Sequence, residues 1–373
     1  MKVLVVEGPL LPSQMAHWDR MHHHGVDLHL AGTLRSPKQN WWVPQKPENV
    51  AVSLFSPRGW VARGSLWWVY PGLTRLIREL KPDVIHVASE PWALFYSQVG
   101  LDDHRVVGHG ADNLWVHGSW IENGIRLRRA RRILGKLSGF TSWNQDGVRL
   151  AHRHGLPAGT PTLVAPSRLP SPEPFRRAAL ERERLRNEFG MKDEVAVGYV
   201  GRLMPAKGLD WLFHSFSAAG LPNARLHIFG SGPQEASLRA LASELHLPVV
   251  FQGPVPPDRI PAVMAGLDLL AVPSLTTPGW TEQFGRVVIE AMLAGTPVIA
   301  SDSGSLPEVV GKGGIVVREL DVASLAEALT CLVEDPGERR EKGEAARNWV
   351  EERFTPDVLA GMFARFWTAV ASR

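Results

Sequence analysis

The feature that most constrains the fold is an alternation of short apolar segments with amphipathic ones through the second half of the chain. Segments such as "VAVGYV" (195–200) and "RLHIFG" (225–230) are short and apolar, as expected of buried strands. Each is followed by a stretch with helical spacing of apolar residues, for example "LDWLFHSFSAA" (209–219). This alternation predicts an α/β domain with a doubly wound parallel sheet, which binds ligands at the carboxyl ends of its strands.

The first half of the chain shows the same pattern less densely. A short apolar strand at residues 3–6 precedes a Gly-Pro loop, and further strands are expected at 83–88 and 105–109. The segment 72–81 has the apolar spacing of a helix that ends before Pro82. This half therefore also predicts a Rossmann-like domain.

A proline-rich segment separates the two halves. Residues 165–175 contain four prolines, and proline lacks the amide donor that helices and central strands need, so an interdomain linker is predicted there. The expected architecture is an α/β fold of two Rossmann-like, doubly wound domains with an interdomain cleft. We place the N-terminal domain at residues 1–168, the C-terminal domain at 169–355 and a last helix at 356–373.

The composition excludes several classes of protein. The 373 residues suffice for two domains, and 44% apolar with 21% charged residues is an ordinary globular balance. A net charge of +3 is compatible with a phosphorylated ligand but too small to indicate nucleic-acid binding. The single cysteine, Cys331, excludes an intrachain disulfide. The sequence has no apolar run of about 18 residues, and "MKVLVVEG" is too short for a signal peptide, so a cytoplasmic location is expected.

One candidate anion site follows the strand at 195–200. The segment "GYVGRLMPAKGLDW" places Arg202 and Lys207 on the loop between that strand and a helix start. A helix N-terminus offers unpaired amides and a partial positive charge to an anion, and the two cations add direct charge. The simpler alternative is a pair of solvated loop cations. The spacing does not match a Walker loop.

Glycines mark two further strand ends. Gly230 and Gly232, in "HIFGSGP", would let a ligand approach the backbone closely, or they form only a tight turn. The segment "VVFQGPVP" places Gly253 before Pro254 and Val255 at the next strand end.

Two glutamates bracket the start of a helix in "TEQFGRVVIEAMLAG" (281–295). Glu282 lies just before the predicted helix and Glu290 within it, and the amides of residues 284–287 would point into the cleft. Eight helical positions span at most about 12 Å, so the carboxylates could hold two ends of one elongated ligand with a diphosphate between them. A nucleotide sugar has this layout, because carboxylates accept hydrogen bonds from sugar and ribose hydroxyls. For either glutamate taken singly, an exposed helix charge is the simpler alternative.

Together these motifs resemble a known family. The segments "VGRLMPAKG", "IFGSGP", "TEQFGRVVIEAMLAGTPVIASDSG" and "PEVV" occur in the order and spacing of the family-four retaining glycosyltransferases, or glycosyl transferase group 1. The resemblance covers residues 190–355 and is looser in the first half. It implies a GT-B fold, in which the C-terminal domain holds most of the nucleotide sugar. It also implies that a last helix, at 356–370, crosses back to the N-terminal domain.

The resemblance further implies roles for single residues. Arg202 and Lys207 would hold the donor diphosphate and stabilise it as it leaves. Glu282 would contact sugar hydroxyls, and Glu290 would bind the ribose. The other implied donor contacts are Gly8, Gly230, Gly232, Gly253, Pro254, Val255, Phe284, Gly285, Arg286 and Val287. The family needs no metal or cofactor, and the sequence contains no Asp-x-Asp motif.

The N-terminal half would supply the acceptor side. In the family a histidine at the end of a middle strand faces the reacting sugar, and His109 in "VVGHGADNLW" is the candidate for that catalytic place, with Asp112 and Asn113 as rivals. The tryptophans near these positions could stack on an acceptor, or they serve packing only. The acceptor candidates are Glu90, Trp92, Asp112, Asn113 and Trp115.

Two other features have weaker functional interpretations. The arginine-rich segment 125–137 could be a basic amphipathic helix on anionic lipid, although a solvated helix face is favoured. Three consecutive histidines at 22–24 could bind a metal, but no carboxylate or cysteine cluster accompanies them in the sequence.

We interpret the sequence as a retaining hexosyltransferase that moves a sugar from a UDP- or GDP-sugar to an acceptor hydroxyl without a metal. The expected partners are this donor and a glycan, natural-product core or lipid-linked acceptor, and no nucleic acid. One alternative is a nucleotide-sugar epimerase, which would need its own acid–base residues. Another is a catalytically silent nucleotide-sugar-binding or partner subunit. Donor turnover that requires an acceptor would separate the three.

Overall fold

The chain divides into two compact units. The structure, a computed structural model, describes residues 1–10, 16–34, 47–59, 67–112, 114, 120–166, 169–191 and 193–373. Unit 1 contains residues 1–170 and 355–373, and unit 2 contains residues 171–354.

Unit 1 is built on a parallel sheet, in which seven strands lie within the described residues. These strands are β1 (Lys2–Pro9), β2 (Asp27–Thr33), β3 (Ala51–Leu54), β4 (Val84–Val87), β5 (Val106–Gly110), β6 (Gly139–Ser142) and β7 (Thr162–Val164). Their order in the sheet is β3-β2-β1-β4-β5-β6-β7. β1 and β4 are buried along nearly their whole length, as expected of strands covered on both faces of a parallel sheet.

Strand β1 extends further than the sequence pattern predicted. It runs through Glu7 and Gly8 to Pro9, and its register against β2 shifts between Val6 and Pro9. The Tyr70 hydroxyl donates to the carbonyl oxygen of Glu7 at 2.7 Å and to that of Gly8 at 3.3 Å. The expected Gly-Pro loop is therefore the irregular end of a strand, held by a buried tyrosine.

Unit 2 contains the second parallel sheet. Its strands are β8 (Val195–Val200), β9 (Ala224–Phe229), β10 (Val249–Gly253), β11 (Leu269–Val272), β12 (Val298–Ser301) and β13 (Gly314–Val317). Their order is β10-β9-β8-β11-β12-β13, with parallel pairing throughout. In this order the chain reverses direction across the sheet between β8 and β11, so the loops that follow these two strands open a crevice at their carboxyl ends.

Helices connect the strands of both sheets. In chain order they are α1 (Leu73–Leu80), α2 (Trp120–Leu134), α3 (Gln145–Arg153), α4 (Glu173–Leu180), α5 (Arg182–Glu188), α6 (Leu209–Ala219), α7 (Glu235–Glu244), α8 (Ile260–Gly266), α9 (Arg286–Ala294), α10 (Leu306–Val310), α11 (Val322–Glu334), α12 (Pro336–Arg353) and α13 (Pro356–Ala371). The prediction of an α/β protein with two Rossmann-like sheets is confirmed.

The segment predicted as a linker is in part helical. Helix α4 begins at Glu173 and includes Pro174 and Phe175, which the proline content of 165–175 had assigned to irregular structure. Proline is tolerated in the first turn of a helix because that amide has no partner there. The next helix, α5, is separate from α4, because the backbone leaves the helical region at Glu181.

The last helix packs within unit 1. Trp367 of α13 stacks on Trp18 with ring centroids 5.8 Å apart, and Phe363 lies 5.3 Å from the same indole. Phe363 and Trp367 also contact the ring of His86 on β4. Both aromatic side chains are fully buried, so α13 contributes to the core of this unit. Within the described ranges no helix is long and apolar enough to cross a membrane.

Candidate functional site

The loop after β8 carries Lys207 at the edge of the sheet. It ends at Gly208, which no other residue can replace without strain. Lys207 ends a 3-10 turn, Pro205–Lys207, and Gly208 follows with φ +65° as the N-cap of α6. A Cβ on Gly208 would lie 1.9 Å from the carbonyl oxygen of Pro273. The glycine thus allows the loop after β8 to lie directly against the loop after β11.

Lys207 and Glu282 meet at this contact. Lys207 Nζ lies 2.6 Å from Glu282 Oε2, and the two side chains are 19% and 12% exposed. Ser274 Oγ donates to the same carboxylate oxygen at 2.9 Å. A lysine and a glutamate from two different strand ends therefore form one charged cluster, which we call the Lys207–Glu282 pair.

The backbone of Glu282 is held from a third strand end. After β12, Ser305 donates its amide to the Glu282 carbonyl oxygen at 3.1 Å and its hydroxyl to the same oxygen at 3.3 Å. Gly304 has φ +54°, and a Cβ there would lie 2.1 Å from that carbonyl oxygen. Three strand ends thus fix the position of one carboxylate.

Glu290 has a separate cationic partner. Its Oε1 lies 3.1 Å from Arg286 Nε, one turn earlier in α9, and the side chains are 12% and 44% exposed. Burial raises the pKa of the Glu290 carboxyl, and Arg286 opposes that rise. The helix starts after Gly285, whose φ of +71° is a left-handed conformation. Glu282 and Glu290 therefore occupy two separate polar positions, one just before the start of α9 and one within it.

Arg202 is the exposed cation of the site. Its side chain forms no ion pair with any residue in the described part of the chain. Its carbonyl oxygen accepts the hydroxyl of Tyr199 at 2.7 Å. Burial raises the pKa of Tyr199, Glu282 raises it further and Arg202 lowers it, so both charges lie within electrostatic reach of this tyrosine. The guanidinium is thus available to an anion near the Lys207–Glu282 pair.

The glycines after β9 have a structural explanation. Gly230 has φ +143°, and a Cβ there would lie 1.8 Å from the carbonyl oxygen of Gly201. A Cβ on Gly232 would lie 2.3 Å from the carbonyl oxygen of Leu203. Both glycines therefore let the loop after β9 pack against the loop after β8. Gly253, with φ +78°, has no neighbour within 4 Å of its Cβ position, so its requirement comes from the backbone angle only.

The other implied donor positions divide by exposure. Phe284 is 7% exposed and packs on Phe354 at 5.9 Å between ring centroids. Pro254 is exposed, while Val255 and Val287 are half-buried. Gly8, in unit 1, lies buried in the irregular end of β1.

In unit 1, His109 lies at the carboxyl end of β5 and is 5% exposed. Its Nδ1 is 2.9 Å from Thr141 Oγ1, and His86 Nε2 is 3.1 Å from the same oxygen. Thr141 Oγ1 donates to the carbonyl oxygen of Gly108 at 3.2 Å. Burial, with smaller contributions from His109 and His17, lowers the pKa of His86 well below its usual range. His109 is thus anchored through its Nδ1 edge next to a neutral histidine.

Glu90 organises the loop that follows His109. Its Oε1 accepts the amides of Ala111 at 2.8 Å and Asp112 at 3.2 Å. Asp112 is 6% exposed, and its Oδ1 accepts the amide of Leu114 at 3.1 Å. Trp92 is 6% exposed and belongs to the apolar core of unit 1. The other two acceptor candidates, Asn113 and Trp115, lie outside the described residues.

Two of the three histidines at 22–24 lie near the carboxylate of Asp357. His23 Nδ1 and His24 Nε2 lie 3.8 Å and 3.7 Å from Asp357 Oδ1. Within the described ranges no group of three or more His, Cys, Asp or Glu side chains has the arrangement of a metal site.

A family model matches the unit that carries the charged cluster. Residues 181–349 match the glycosyl transferases group 1 model. The resemblance inferred from the motifs is confirmed, and the matched range contains Arg202, Lys207, Glu282 and Glu290.

Curated relatives agree with this assignment over part of their length. The 2-deoxystreptamine glucosyltransferase of Streptomyces kanamyceticus is 35% identical over 201 residues, which cover 51% of this chain and 50% of that protein. The GDP-mannose-dependent alpha-(1-6)-phosphatidylinositol monomannoside mannosyltransferase of Mycolicibacterium smegmatis is 35% identical over 187 residues, 48% of each chain. The chain spans about half the length of the curated relatives it matches.

Solved structures share the fold across the whole chain. The Anabaena protein HepE in complex with UDP has a TM-score of 0.74 at 20% identity, covering 99% of this chain and 100% of that one. WaaG, a glycosyltransferase involved in lipopolysaccharide biosynthesis, has a TM-score of 0.65 at 17% identity, with 99% and 100% covered. The predicted GT-B fold is confirmed.

Sequence reasoning missed several residues that hold the Lys207–Glu282 pair in place. Ser274 binds Glu282 directly, and Gly304 and Ser305 fix its backbone. Trp280 places its ring 4.5 Å from Lys207 Nζ. The "PS" and "SDSG" segments at the ends of β11 and β12 gave a signal for the first three, since small residues after a strand mark a close approach. Nothing in the sequence indicated that Trp280 faces Lys207.

Proposed function

We propose that the chain is a retaining glycosyltransferase that moves a sugar from a UDP- or GDP-sugar to an acceptor hydroxyl and requires no metal ion. The observation that carries the proposal is the Lys207–Glu282 pair beside the exposed Arg202, at the carboxyl ends of β8 and β11. The names of the relatives support it, since they are a glucosyltransferase and a GDP-mannose-dependent mannosyltransferase. The structural neighbour HepE binds UDP.

The donor diphosphate would lie between the two cations and the start of α9. Arg202 can form a bidentate contact with phosphate, whereas Lys207 acts as a compact charge. The first amides of α9, which begins at Arg286, add the positive end of the helix dipole. A diphosphate here would contact the ammonium group of Lys207, which also contacts Glu282, and the carboxylate of Glu282 would face the sugar.

The two glutamates would select the two ends of the donor. Glu282 accepts hydrogen bonds through an oxygen that already contacts Lys207 and Ser274, so sugar hydroxyls could donate to a carboxylate of fixed position. Glu290 would accept the ribose hydroxyls, with Arg286 opposing the rise that burial causes in the pKa of the carboxyl. The segment 253–255 would flank the base.

The transfer itself would take place on one face of the sugar. The bond between the anomeric carbon and the diphosphate oxygen breaks, and a bond from the same carbon to the acceptor oxygen forms on the same face. The acceptor proton passes to the departing phosphate oxygen. Arg202 and Lys207 stabilise the negative charge that develops on that phosphate, which is the task that a metal performs in other enzymes.

Unit 1 would supply the acceptor contacts and a histidine for the reacting sugar. His109 lies at a strand end with its Nδ1 edge bound to Thr141, and its imidazole would face the reacting sugar. The acceptor would be a glycan, a natural-product core or a lipid-linked molecule.

The test is a transfer assay with matched donors. UDP-glucose, UDP-N-acetylglucosamine and GDP-mannose are each incubated with a panel of cyclitol, glycan and lipid-linked acceptors, with and without EDTA. We expect one donor to be consumed only with an acceptor, at the same rate in EDTA, and the product to keep the donor's anomeric configuration by NMR. Conversion of the donor to an epimer without any acceptor would contradict the proposal. So would a product with inverted anomeric configuration. Binding of a donor without turnover on any acceptor would favour a binding subunit.

A further inference from the structure

The segment between Ser274 and Glu282 forms a tight turn that carries Trp280. Thr277 donates its amide to the Trp280 carbonyl oxygen at 2.7 Å, and Trp280 donates its amide back to Thr277 at 3.3 Å. The Thr277 hydroxyl donates to the same Trp280 oxygen at 3.2 Å. Pro278 and Gly279 form the exposed tip of this turn. The backbone therefore closes on itself and presents the indole at its end.

The base of the turn is fixed to the neighbouring strand ends. Thr276 donates its amide to Glu319 Oε2 and its hydroxyl to Glu319 Oε1, both at 2.6 Å. The Thr276 hydroxyl also lies 3.0 Å from Ser303 Oγ. The amide of Glu319 donates to Asp302 Oδ1 at 2.8 Å. Both carboxylate oxygens of Glu319 are thus used to hold one residue, and the turn has a defined position on unit 2.

The indole of Trp280 is placed against the ammonium group of Lys207. The distance from Lys207 Nζ to the ring centroid is 4.5 Å, within the range of a cation–π contact. Lys207 therefore has two partners, the carboxylate of Glu282 at 2.6 Å and the aromatic face of Trp280. A lysine side chain has four rotatable bonds and loses much entropy when it is fixed, so a second partner that is held rigidly by its own turn restricts it further.

We propose that Trp280 is a positioning residue for the donor diphosphate, acting through Lys207. The inference rests on the proposed function. When sugar hydroxyls donate to Glu282, that carboxylate divides its hydrogen bonds between the sugar and Lys207. The contact of the Trp280 ring with Lys207 is not shared with the sugar in this way. Trp280 holds the ammonium group in place for the phosphate, and the turn pinned by Glu319 is what holds Trp280.

A double-mutant cycle on nucleotide affinity tests whether Trp280 acts through Lys207. The four proteins are wild type, Trp280→Leu, Lys207→Met and the double variant, titrated calorimetrically with the nucleoside diphosphate that binds wild type. We expect Trp280→Leu to weaken binding about 2- to 30-fold, the range of one cation–π contact. In the Lys207→Met background the same change should have an effect smaller than about twofold. Trp280→Phe, which keeps an aromatic face, should restore most of the affinity.

A matched control separates a local effect from general loss of an indole. Trp349 forms a cation–π contact with Arg353 at 3.7 Å within the same unit. Trp349→Leu should leave nucleotide affinity unchanged, with the melting midpoint of each variant recorded to show that the protein is folded. Equal losses from Trp280→Leu in both Lys207 backgrounds, or no loss in either, would overturn the proposal.

A second readout needs no ligand and keeps this inference separate from the proposed function. The ring current of an indole shifts the ε-methylene protons of a lysine above its face to higher field. The NMR signal of Lys207 should show this shift in wild type and lose it in Trp280→Leu. Absence of the shift in wild type would overturn the positioning of Lys207 by Trp280. A shifted signal together with no nucleotide binding would instead contradict the proposed function.

Discussion

The two units share an architecture but place their polar groups differently. In unit 2 the charged side chains lie at strand ends on loops shaped by glycines, and each buried carboxylate at the site has a cationic partner, as in the Lys207–Glu282 pair. In unit 1 the buried polar side chains include His17 and His86, which lie among aromatic rings and contact Phe363, as well as the carboxylates of Glu7 and Asp112. Unit 2 therefore pairs its charged groups at the edge of its sheet, whereas in unit 1 burial lowers the pKa of His17 and His86, so that these rings stay neutral.

This difference teaches which interactions each unit can lose. The loops of unit 2 pack through glycines, and a side chain at such a glycine would break a backbone contact. The contribution of the buried histidines of unit 1 to stability depends instead on pH. The following predictions test this comparison, beginning with the largest expected effect.

The largest effect is expected at the glycine that joins the two charged loops. Gly208→Ala places a Cβ 1.9 Å from the Pro273 carbonyl oxygen at a φ of +65°, so both strain and a backbone clash oppose folding of unit 2. We expect a loss of about 4 kcal/mol in the free energy of unfolding, measured by urea denaturation. Gly220, at the other end of α6, has φ +59° and no neighbour within 4 Å of its Cβ position. Gly220→Ala should therefore lose only about 1 kcal/mol.

Hydrogen exchange would show where the loss occurs. Peptides of unit 2 should exchange faster in Gly208→Ala, with a smaller change in Gly220→Ala. Equal losses of stability in the two variants would show that the approach of the two loops is not the constraint.

The second effect is on activity and is expected at the carboxylate of the pair. Glu282→Gln removes the charge that holds Lys207 and that would face sugar hydroxyls in the proposed function, and hydrogen bonds to a charged group contribute about 1.5–3 kcal/mol. We expect kcat/KM for the donor to fall about 100-fold, with a melting midpoint close to wild type. Glu308→Gln, at an exposed position on α10, is the matched control and should keep full activity. A fall of similar size in both variants would remove Glu282 from the site.

The third effect distinguishes unit 1 by its response to acid. Burial lowers the pKa of His17 to about 3, from about 6.5 for an exposed histidine. Below pH 6.5 this histidine binds a proton in the unfolded chain but not in the folded protein. Between pH 6.5 and the folded pKa, each unit of acidification therefore lowers the free energy of unfolding by about 1.4 kcal/mol. His17→Phe keeps an aromatic ring beside Trp18 and Phe363 and removes this proton uptake.

The measurement is the melting midpoint of His17→Phe and wild type from pH 7.5 to 5. The melting midpoint of His17→Phe should rise relative to that of wild type as the pH falls. Tryptophan fluorescence suits the experiment, because Trp211, Trp280 and Trp349 are the only tryptophans of unit 2 in a sequence with 14. Parallel curves for the two proteins would show that His17 is not a source of acid sensitivity.

The smallest effect is expected at Glu290. Burial raises the pKa of this carboxyl, and the ion pair with Arg286 opposes the rise only in part. A folded pKa above the unfolded value means that the carboxyl destabilises the fold as the pH rises through its folded pKa and has no such effect below the unfolded pKa. Glu290→Gln should therefore raise the free energy of unfolding at pH 7.5 by about 1 kcal/mol or less, with a slightly higher melting midpoint, and the gain should vanish near pH 4. A gain that grows in acid would contradict this sign.

Much of unit 2 could be predicted from the sequence because its signals are local. Strand β8 and helix α6 have the predicted bounds, since apolar runs, helical spacing and glycine caps are all encoded within a few residues of one another. Arg202, Lys207 and Glu282 could be named because each lies next to a strand end or a helix start. The order of strands then brings the loops after β8 and β11 together.

The parts that sequence reasoning missed depend on contacts between distant residues. Glu319 fixes Thr276 across 43 positions, and Thr141 contacts His86 across 55 positions, so no local pattern reveals either pair. The irregular end of β1 depends in the same way on Tyr70. The start of α4 was missed for a different reason, because the proline rule was applied without the exception for the first helical turn.

The most direct test of the central claim is thermal unfolding with UDP, GDP, ADP and dTDP on wild type and Lys207→Met. A ligand at about a hundred times its dissociation constant adds about 2.7 kcal/mol to the free energy of unfolding. We predict that one nucleotide, UDP or GDP, raises the midpoint of wild type, and that Lys207→Met removes most of the rise without lowering the midpoint of the unliganded protein by more than a few degrees. An equal rise in Lys207→Met, or no rise with any nucleotide in wild type, would contradict a donor site at the Lys207–Glu282 pair.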